Sequence, residues 1–170
     1  ALTNGRFSGD SAFTAATLSA DVKLTLAELK HPALKPLSWQ WQAELNGSLS
    51  QLNLDGRLSN SASLGLAHQL GYKMAAPDTE TLTLNWQLDD MFLLAGNPLS
   101  DSLTAWPPLL ELNRGRLSAS GTLSLAPALN ATAQLQLSGI SGIYDRSLFQ
   151  DLTAALQLHY TPEQFQLSTS

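Results

Sequence analysis

The sequence predicts an all-β chain: a long antiparallel meander with one short helix set into it. Three observations predict this. Apolar residues recur with period two, which places successive side chains on opposite faces of a strand. Turn signals follow at intervals of roughly 10–15 residues, the spacing of consecutive hairpins. No βαβ rhythm interrupts them, which argues against a parallel, doubly wound sheet. The alternation fits two architectures equally. The sheet either curves into an open groove with its apolar face inside, or closes as a sandwich in which apolar faces meet.

The elements justify themselves in order. The opening Ala1-Leu2-Thr3-Asn4-Gly5 is already strand-like. Leu18, Ala20, Val22, Leu24 and Leu26 alternate with Ser19, Asp21, Lys23 and Thr25. Leu37, Trp39, Trp41, Ala43 and Leu45 alternate with Ser38, Gln40, Gln42 and Glu44. After a break at Ser50-Gln51 the pattern resumes through Leu52, Leu54, Gly56 and Leu58. Asn60-Ser61 punctuates, and Leu64, Leu66, His68, Leu70, Tyr72 and Met74 share one parity. Ala75-Ala76-Pro77-Asp78 signals a turn into Leu82, Leu84, Trp86 and Leu88.

Met91-Phe92-Leu93-Leu94 breaks the alternation. Asn97-Pro98 reads as an N-cap followed by proline at the first helical position. Leu99, Leu103 and Trp106 then lie on one helical face, and Pro107-Pro108 stops the run. A short helix is expected over Pro98 to Ala105. It either covers the groove or plugs one end of a core.

Leu110 and Leu112 precede a turn expected at Asn113-Arg114-Gly115. Strands follow on Leu117 to Leu125, Ala131 to Gly139, and Leu152 to Tyr160. Gly142 to Phe149 is expected to be a turn or irregular piece, and Thr161-Pro162-Glu163 turns the chain into Phe165 and Leu167. The whole of residues 1–170 reads as a single β-rich slab. With no initiator Met and strand-like ends, the chain is expected to be cut from a longer protein, with any anchor or export signal outside it.

Composition excludes several functions. Nine Lys and Arg face fourteen Asp and Glu, giving a net charge of −5, so the basic footprint of a nucleic-acid binder is missing. The absence of Cys excludes a disulfide scaffold and a Cys-ligated zinc site. No apolar run reaches the about 18 residues of a membrane-spanning helix. Leucine supplies 36 of the 170 residues and Val plus Ile only three, so the apolar face is a leucine face.

Catalytic chemistry needs converging titratable groups. His31, His68 and His159 are scattered, with His31 in a Lys-His-Pro turn, His68 on an apolar parity and His159 on a polar one. No nucleophile elbow, phosphate loop or zinc-protease motif occurs. Asp89-Asp90 is the one adjacent acidic pair, and neighbours on a strand point apart, so a loop or helix entry is expected there. Arg114 and Arg116 are expected to solvate a turn. Asp145, Arg146 and Asp151 are candidates for a surface ion pair. Asn46-Gly47-Ser48 and Asn130-Ala131-Thr132 match the glycosylation sequon, a pattern common by chance. Trp39, Trp41 and Trp86 share the leucine parity, which favours packing over a sugar-stacking platform. The expectation is a protein with no catalytic residues, no metal and no cofactor.

Gly-Arg-Leu-Ser-Ala-Ser-Gly-Thr-Leu (Gly115 to Leu123) and Leu-Ser-Gly-Ile-Ser-Gly-Ile-Tyr (Leu137 to Tyr144), leading through Phe149 into Leu152-Thr153-Ala154-Ala155-Leu156, resemble the AsmA-like bridge proteins of the Gram-negative envelope, in their YdbH-like branch. The resemblance is best over Leu110 to Leu167; before that it rests on strand pattern. It implies an inner-membrane anchor, a periplasmic location, and a β-taco that is apolar inside and polar outside. It also implies transport of phospholipid, with acyl chains in the groove, and a small outer-membrane lipoprotein as partner. The lining would then be Leu18, Val22, Leu24, Leu26, Leu37, Trp39, Trp41, Leu45, Leu64, Leu66, Leu82, Leu84, Trp86, Leu117, Leu123, Leu135, Leu137, Leu152, Leu156 and Leu158. No clustered basic site for a dicarboxylate is present.

Overall fold

The computed structural model describes residues 2–8, 17–76 and 79–169. Eleven strands form one antiparallel sheet. In chain order they are β1 (Leu2–Ser8), β2 (Thr17–Leu26), β3 (Trp39–Ser48), β4 (Gln51–Asn60), β5 (Gly65–Ala76), β6 (Thr79–Leu88), β7 (Met91–Phe92), β8 (Leu110–Ala126), β9 (Asn130–Tyr144), β10 (Ser147–Thr161) and β11 (Gln164–Thr169). The sheet order is β1-β2-β3-β4-β5-β6-β8-β9-β10-β11, with the short β7 paired to β8. The edges are β1 and β11, so the sheet does not close on itself. Each strand makes its substantial contacts with its sheet neighbours, and β8 also touches a 3-10 turn. Among the described residues no second sheet covers the apolar face, and the sandwich alternative does not hold.

Turn chemistry explains the meander. Leu49-Ser50 joins β3 to β4, and Asp145-Arg146 joins β9 to β10 with Asp145 at φ 56°. The turn expected around Ala75 to Asp78 falls on residues 77 and 78, outside the described residues. Between β4 and β5 the Asn60 side chain organises the loop. Its Oδ1 accepts hydrogen bonds from the backbone N–H of Ala62 and of Leu64, each at 3.0 Å. An Asn carbonyl can replace the strand ladder in this way, which is why such residues end strands.

One expected interruption is absent and another is shorter than expected. Asn113-Arg114-Gly115 is not a turn: β8 runs through it for 17 residues, about 56 Å at roughly 3.3 Å per residue. The turn expected within Gly142 to Phe149 is present, confined to Asp145-Arg146 with strand on either side. What glycine marks here is a line of bulges. Register slips occur around Gly115 in β8, before Ile140 in β9 and at Asp151 in β10. Gly115, Gly139 and Asp151 have φ of 113°, 58° and 54°, backbone that a bulge uses as readily as a turn. Each extra residue resets the alternation, so Ile140 faces the same side as Leu137 and is 2% exposed.

The helical insert forms as expected at its start. Leu93–Ala95 makes a 3-10 turn and α1 spans Pro98–Ser102. Asn97 Oδ1 caps α1 by accepting from the Leu99 and Ser100 N–H groups at 3.2 Å, with Pro98 at the first helical position. The helix stops at Ser102, short of Ala105, because Leu103 turns extended and bridges to Leu34. Residues 93–109 are thereby joined to the other excursion, residues 27–38 between β2 and β3. The Lys35 N–H donates to Ser102 O at 2.8 Å, the Thr104 N–H to Ala33 O at 3.1 Å, and Thr104 Oγ1 to Pro32 O at 2.5 Å.

Asn60 ties this assembly to the sheet, its Nδ2 donating to Ser102 Oγ at 2.8 Å, with Ser102 fully buried. Asn60→Ala strands three groups at once: the Ala62 and Leu64 N–H groups and the Ser102 hydroxyl. A loss of about 1–3 kcal/mol is expected, because orphaned polar groups keep their desolvation cost. Urea denaturation checks it; a loss no larger than that of the exposed Gln51→Ala would remove Asn60 from this role.

Candidate lipid-facing surface

Antiparallel pairing places cross-strand partners on the same face. The register therefore assembles the alternation into rows that cross the strands. One runs Ala20, Leu45, Leu54, Leu70, Leu84, Leu123, Ala131, Tyr160 and Phe165. A second runs Val22, Ala43, Gly56, His68, Trp86, Gly121, Ala133, Leu158 and Leu167. A third joins Leu24, Trp41, Leu58, Leu66 and Leu88, and Leu135 pairs with Leu156 further on. Leu18, Leu52, Tyr72 and Leu82 lie in a fourth, through Gly47. Leu26 pairs with Trp39, and Leu117 with Leu137. Leu152 pairs with Ile140 on the bulge line and is exposed.

Leu37 and Leu64 are the two expected lining residues that no strand carries. Leu37 precedes β3, and Leu64 sits in the Asn60 loop, buried. Leu52, Leu54, Leu58 and Leu70 belong to the rows yet were not among the expected lining, although the same alternation marks them. Ile140 and Met91 were hidden, one by the bulge and the other by the break at Asp89-Asp90.

The face has two parts. At one end Trp39, Leu64, Met91 and Leu117 form a buried cluster, packed by Leu29 and Leu34 of the first excursion and Leu99 of α1. Leu58, Leu88, Leu135 and Leu137 carry the cluster into the sheet. Here the helix covers the apolar face. Among the described residues the buried Trp39 indole N–H has no acceptor, at a cost of about 1–3 kcal/mol. Elsewhere leucines are half-buried by their row neighbours, and Leu24, Leu152, Phe165 and Leu167 are exposed.

His68 is the polar member of the second row. Trp41 Nε1 donates to His68 Nε2 at 2.7 Å, and the rings stack with centroids 6.0 Å apart. A Cβ built on Gly56 would meet His68 Cε1 at 2.5 Å, and one on Gly121 would meet Trp86 Cζ2 at 2.7 Å. Each ring thus lies over a glycine. Burial lowers the His68 pKa below its ordinary value, partly offset by the Asp55 carboxylate. The folded chain thus prefers neutral His68, whose stabilising effect is present above the ordinary pKa of about 6.5 and is lost as pH falls through the folded value. Urea midpoints are expected to fall between pH 7.5 and pH 5, and to fall less in His68→Gln; an unchanged pH dependence would remove His68 as the cause.

The opposite face is polar. Asp21, Glu44, Asp55, Gln69, Asn85, Thr122, Thr132, His159 and Gln166 form its central row. A hollow of about 650 Å³ opens on this side, lined by Gln69, Asn85, Gln87, Thr122 and Gln134 among others. Asp89 and Asp90 serve two separate arginines here, Asp89 bound by both Nη atoms of Arg57 and Asp90 by Arg116. Arg116 also lies 5.5 Å from the centre of the Phe92 ring, so it is a strand residue with partners and not part of a solvated turn. Asp145 sits in the β9–β10 turn, its N–H donating to Leu109 O at 2.9 Å, and Asp151 in the β10 bulge, its N–H donating to Ser141 Oγ at 3.2 Å. Among the described residues no group of three His, Asp or Glu is placed to hold a metal ion, and no helix is long and apolar enough to cross a membrane.

No curated protein and no solved structure matches the chain. A family model does, over residues 1–170, described as YdbH-like, intermembrane phospholipid transport protein YdbH. An open antiparallel sheet with a continuous leucine face is what the resemblance of Leu110 to Leu167 implied, and the match extends it over the N-terminal strands: the chain belongs to the YdbH-like family of intermembrane phospholipid transport proteins.

Proposed function

We propose that this chain is a periplasmic slab of a bridge between the inner and outer membranes, and that its leucine face lines a groove shielding phospholipid acyl chains from water. The observation that carries this reading is the run of apolar rows across the strands with no second layer over most of their length. The Ala20-to-Phe165 row crosses eight strand spacings, about 38 Å at roughly 4.8 Å each. That exceeds the length of one leaflet's acyl chains, about half of a ~30 Å hydrocarbon core. Each methylene sheltered contributes about 0.8 kcal/mol, without directional bonds, so a chain can slide along the rows. The polar rows keep the outer face hydrated. Sliding breaks no covalent bond, and the reading is non-enzymatic. An inner-membrane anchor and an outer-membrane lipoprotein partner belong to the full-length protein on this reading.

A photocrosslinking amino acid at Leu24, Trp41 or Leu84 in the full-length protein is expected to capture phospholipid in cells. The same probe at Gln69 or Gln134 is expected to capture none. Capture confined to the polar rows would overturn the proposal.

A further inference from the structure

We infer that the patch beneath the helical insert is itself a phospholipid site, which the insert occupies in this state and vacates to a diacyl lipid. The inference rests on the groove reading above and names a gated stretch within it.

Three observations converge on this patch. First, the covered surface and the open surface are one surface. Leu58 and Leu88 pack into the buried cluster and also belong to the row that contains Leu24, Trp41 and Leu66. A chain sliding along that row meets the insert. Second, away from its ends the insert is bonded more to itself than to the sheet. Its two parts, residues 27–38 and 93–109, are joined by the Leu34–Leu103 bridge and by the bonds of Lys35 and Thr104. Among the described residues, Asn60 Nδ2 to Ser102 Oγ ties the middle of the insert to the sheet, while the Ser61 N–H to Ser38 O, the Asp145 N–H to Leu109 O and Trp106 Nε1 to Leu110 O hold its ends. The rest of its attachment is leucine packing by Leu29, Leu34 and Leu99, which hydrocarbon can replace. Third, Trp39 is 6% exposed and its N–H has no acceptor among the described residues. The insert offers apolar side chains where the sheet presents a donor. A diacyl lipid offers hydrocarbon together with ester carbonyls, so a carbonyl satisfies the indole while the acyl chains replace the leucines. A plain hydrocarbon would leave the donor unsatisfied.

The test uses the full-length protein with Asn60→Cys and Ser102→Cys, whose native side chains touch, to lock the insert by oxidation. A photocrosslinker is placed at Leu117, beneath the insert, or at Leu84, outside it. With the pair reduced, phospholipid is expected at both sites. With it oxidised, capture at Leu117 is expected to fall at least tenfold while capture at Leu84 persists. Equal capture at Leu117 in both states, or none at Leu117 in either while Leu84 captures, would overturn the inference and leave the groove reading standing. No capture at Leu84 in either state would overturn the groove reading itself. Leu117 is buried and the probe there is bulky, so a second measurement uses the unsubstituted protein. Addition of diheptanoyl-phosphatidylcholine, below its micelle concentration, is expected to speed hydrogen exchange at the Ser61 amide, which donates to Ser38 O of the insert. Exchange there unchanged by lipid would overturn the inference.

Discussion

Arginine at Leu84 is expected to stop lipid capture along the groove while the sheet stays folded, whereas arginine at Leu117 unfolds it. Both leucines lie on the same face, and the difference is what stands above them. Leu84 is half-buried by Leu70 and Leu123 in its row, with no layer over it. A guanidinium there keeps its head in water and lays its stem over the neighbours, so stability should change by less than about 1 kcal/mol. A passing acyl chain would have to strip that water, and an unpaired charge is expensive to desolvate. Capture by a photocrosslinker at Leu158 is expected to fall at least tenfold. Leu117 is 5% exposed, among Trp39, Leu64 and Met91. An uncompensated charge at such a site costs about 3–5 kcal/mol. Thermal melts of both variants decide it: similar losses at the two positions would mean that the two parts of the face are equally covered.

Gly121→Ala is expected to lower stability by about 1–3 kcal/mol or more, the range of an overpacked core. The added methyl would collide with the Thr132 carbonyl of β9 and come within 2.7 Å of Trp86 Cζ2. The indole can swing away, but the carbonyl belongs to the β8–β9 ladder and moves only if the two strands part. Gly71→Ala is the control. Its methyl would find Asn53 Oδ1 at 3.7 Å and Thr83 O at 4.0 Å, ordinary contacts. It should be neutral or stabilise by up to about 1 kcal/mol, through a less flexible unfolded chain. A difference of 1 kcal/mol moves the Tm of a chain this size by about 2–4 °C. Equal Tm values for the two variants would show that the sheet yields at Gly121 as freely as at Gly71.

The strand pattern was legible because alternation is a local property, and pairing merely aligned what Leu45, Leu54, Leu70 and Leu84 already displayed. The start of the helix was legible for the same reason: Asn97 and Pro98 act on their own backbone. Its end was not, because Leu103 answers to Leu34, a residue far back in the chain. The bulge line was misread since positive-φ glycine serves a turn and a bulge alike, and Gly115 gives no sign of which. Trp39 and Trp41 differ by two positions and share a face, yet one lies under the insert and the other binds His68. Their parity says which side they face; only the placement of the insert says which is covered.

The sequential strand order has a consequence for how the chain folds. Among the described residues every ladder except β6–β8 joins strands consecutive in sequence, so loop closure is short and each hairpin can form once its second strand exists. Such a sheet grows by accretion, as repeat proteins do, and its stability is close to a sum of neighbour terms. The insert departs from this rule. The Asn60–Ser102 bond spans 42 residues and the Thr104–Pro32 bond 72. Its closure comes after the strands are laid down, on a sheet already assembled without it.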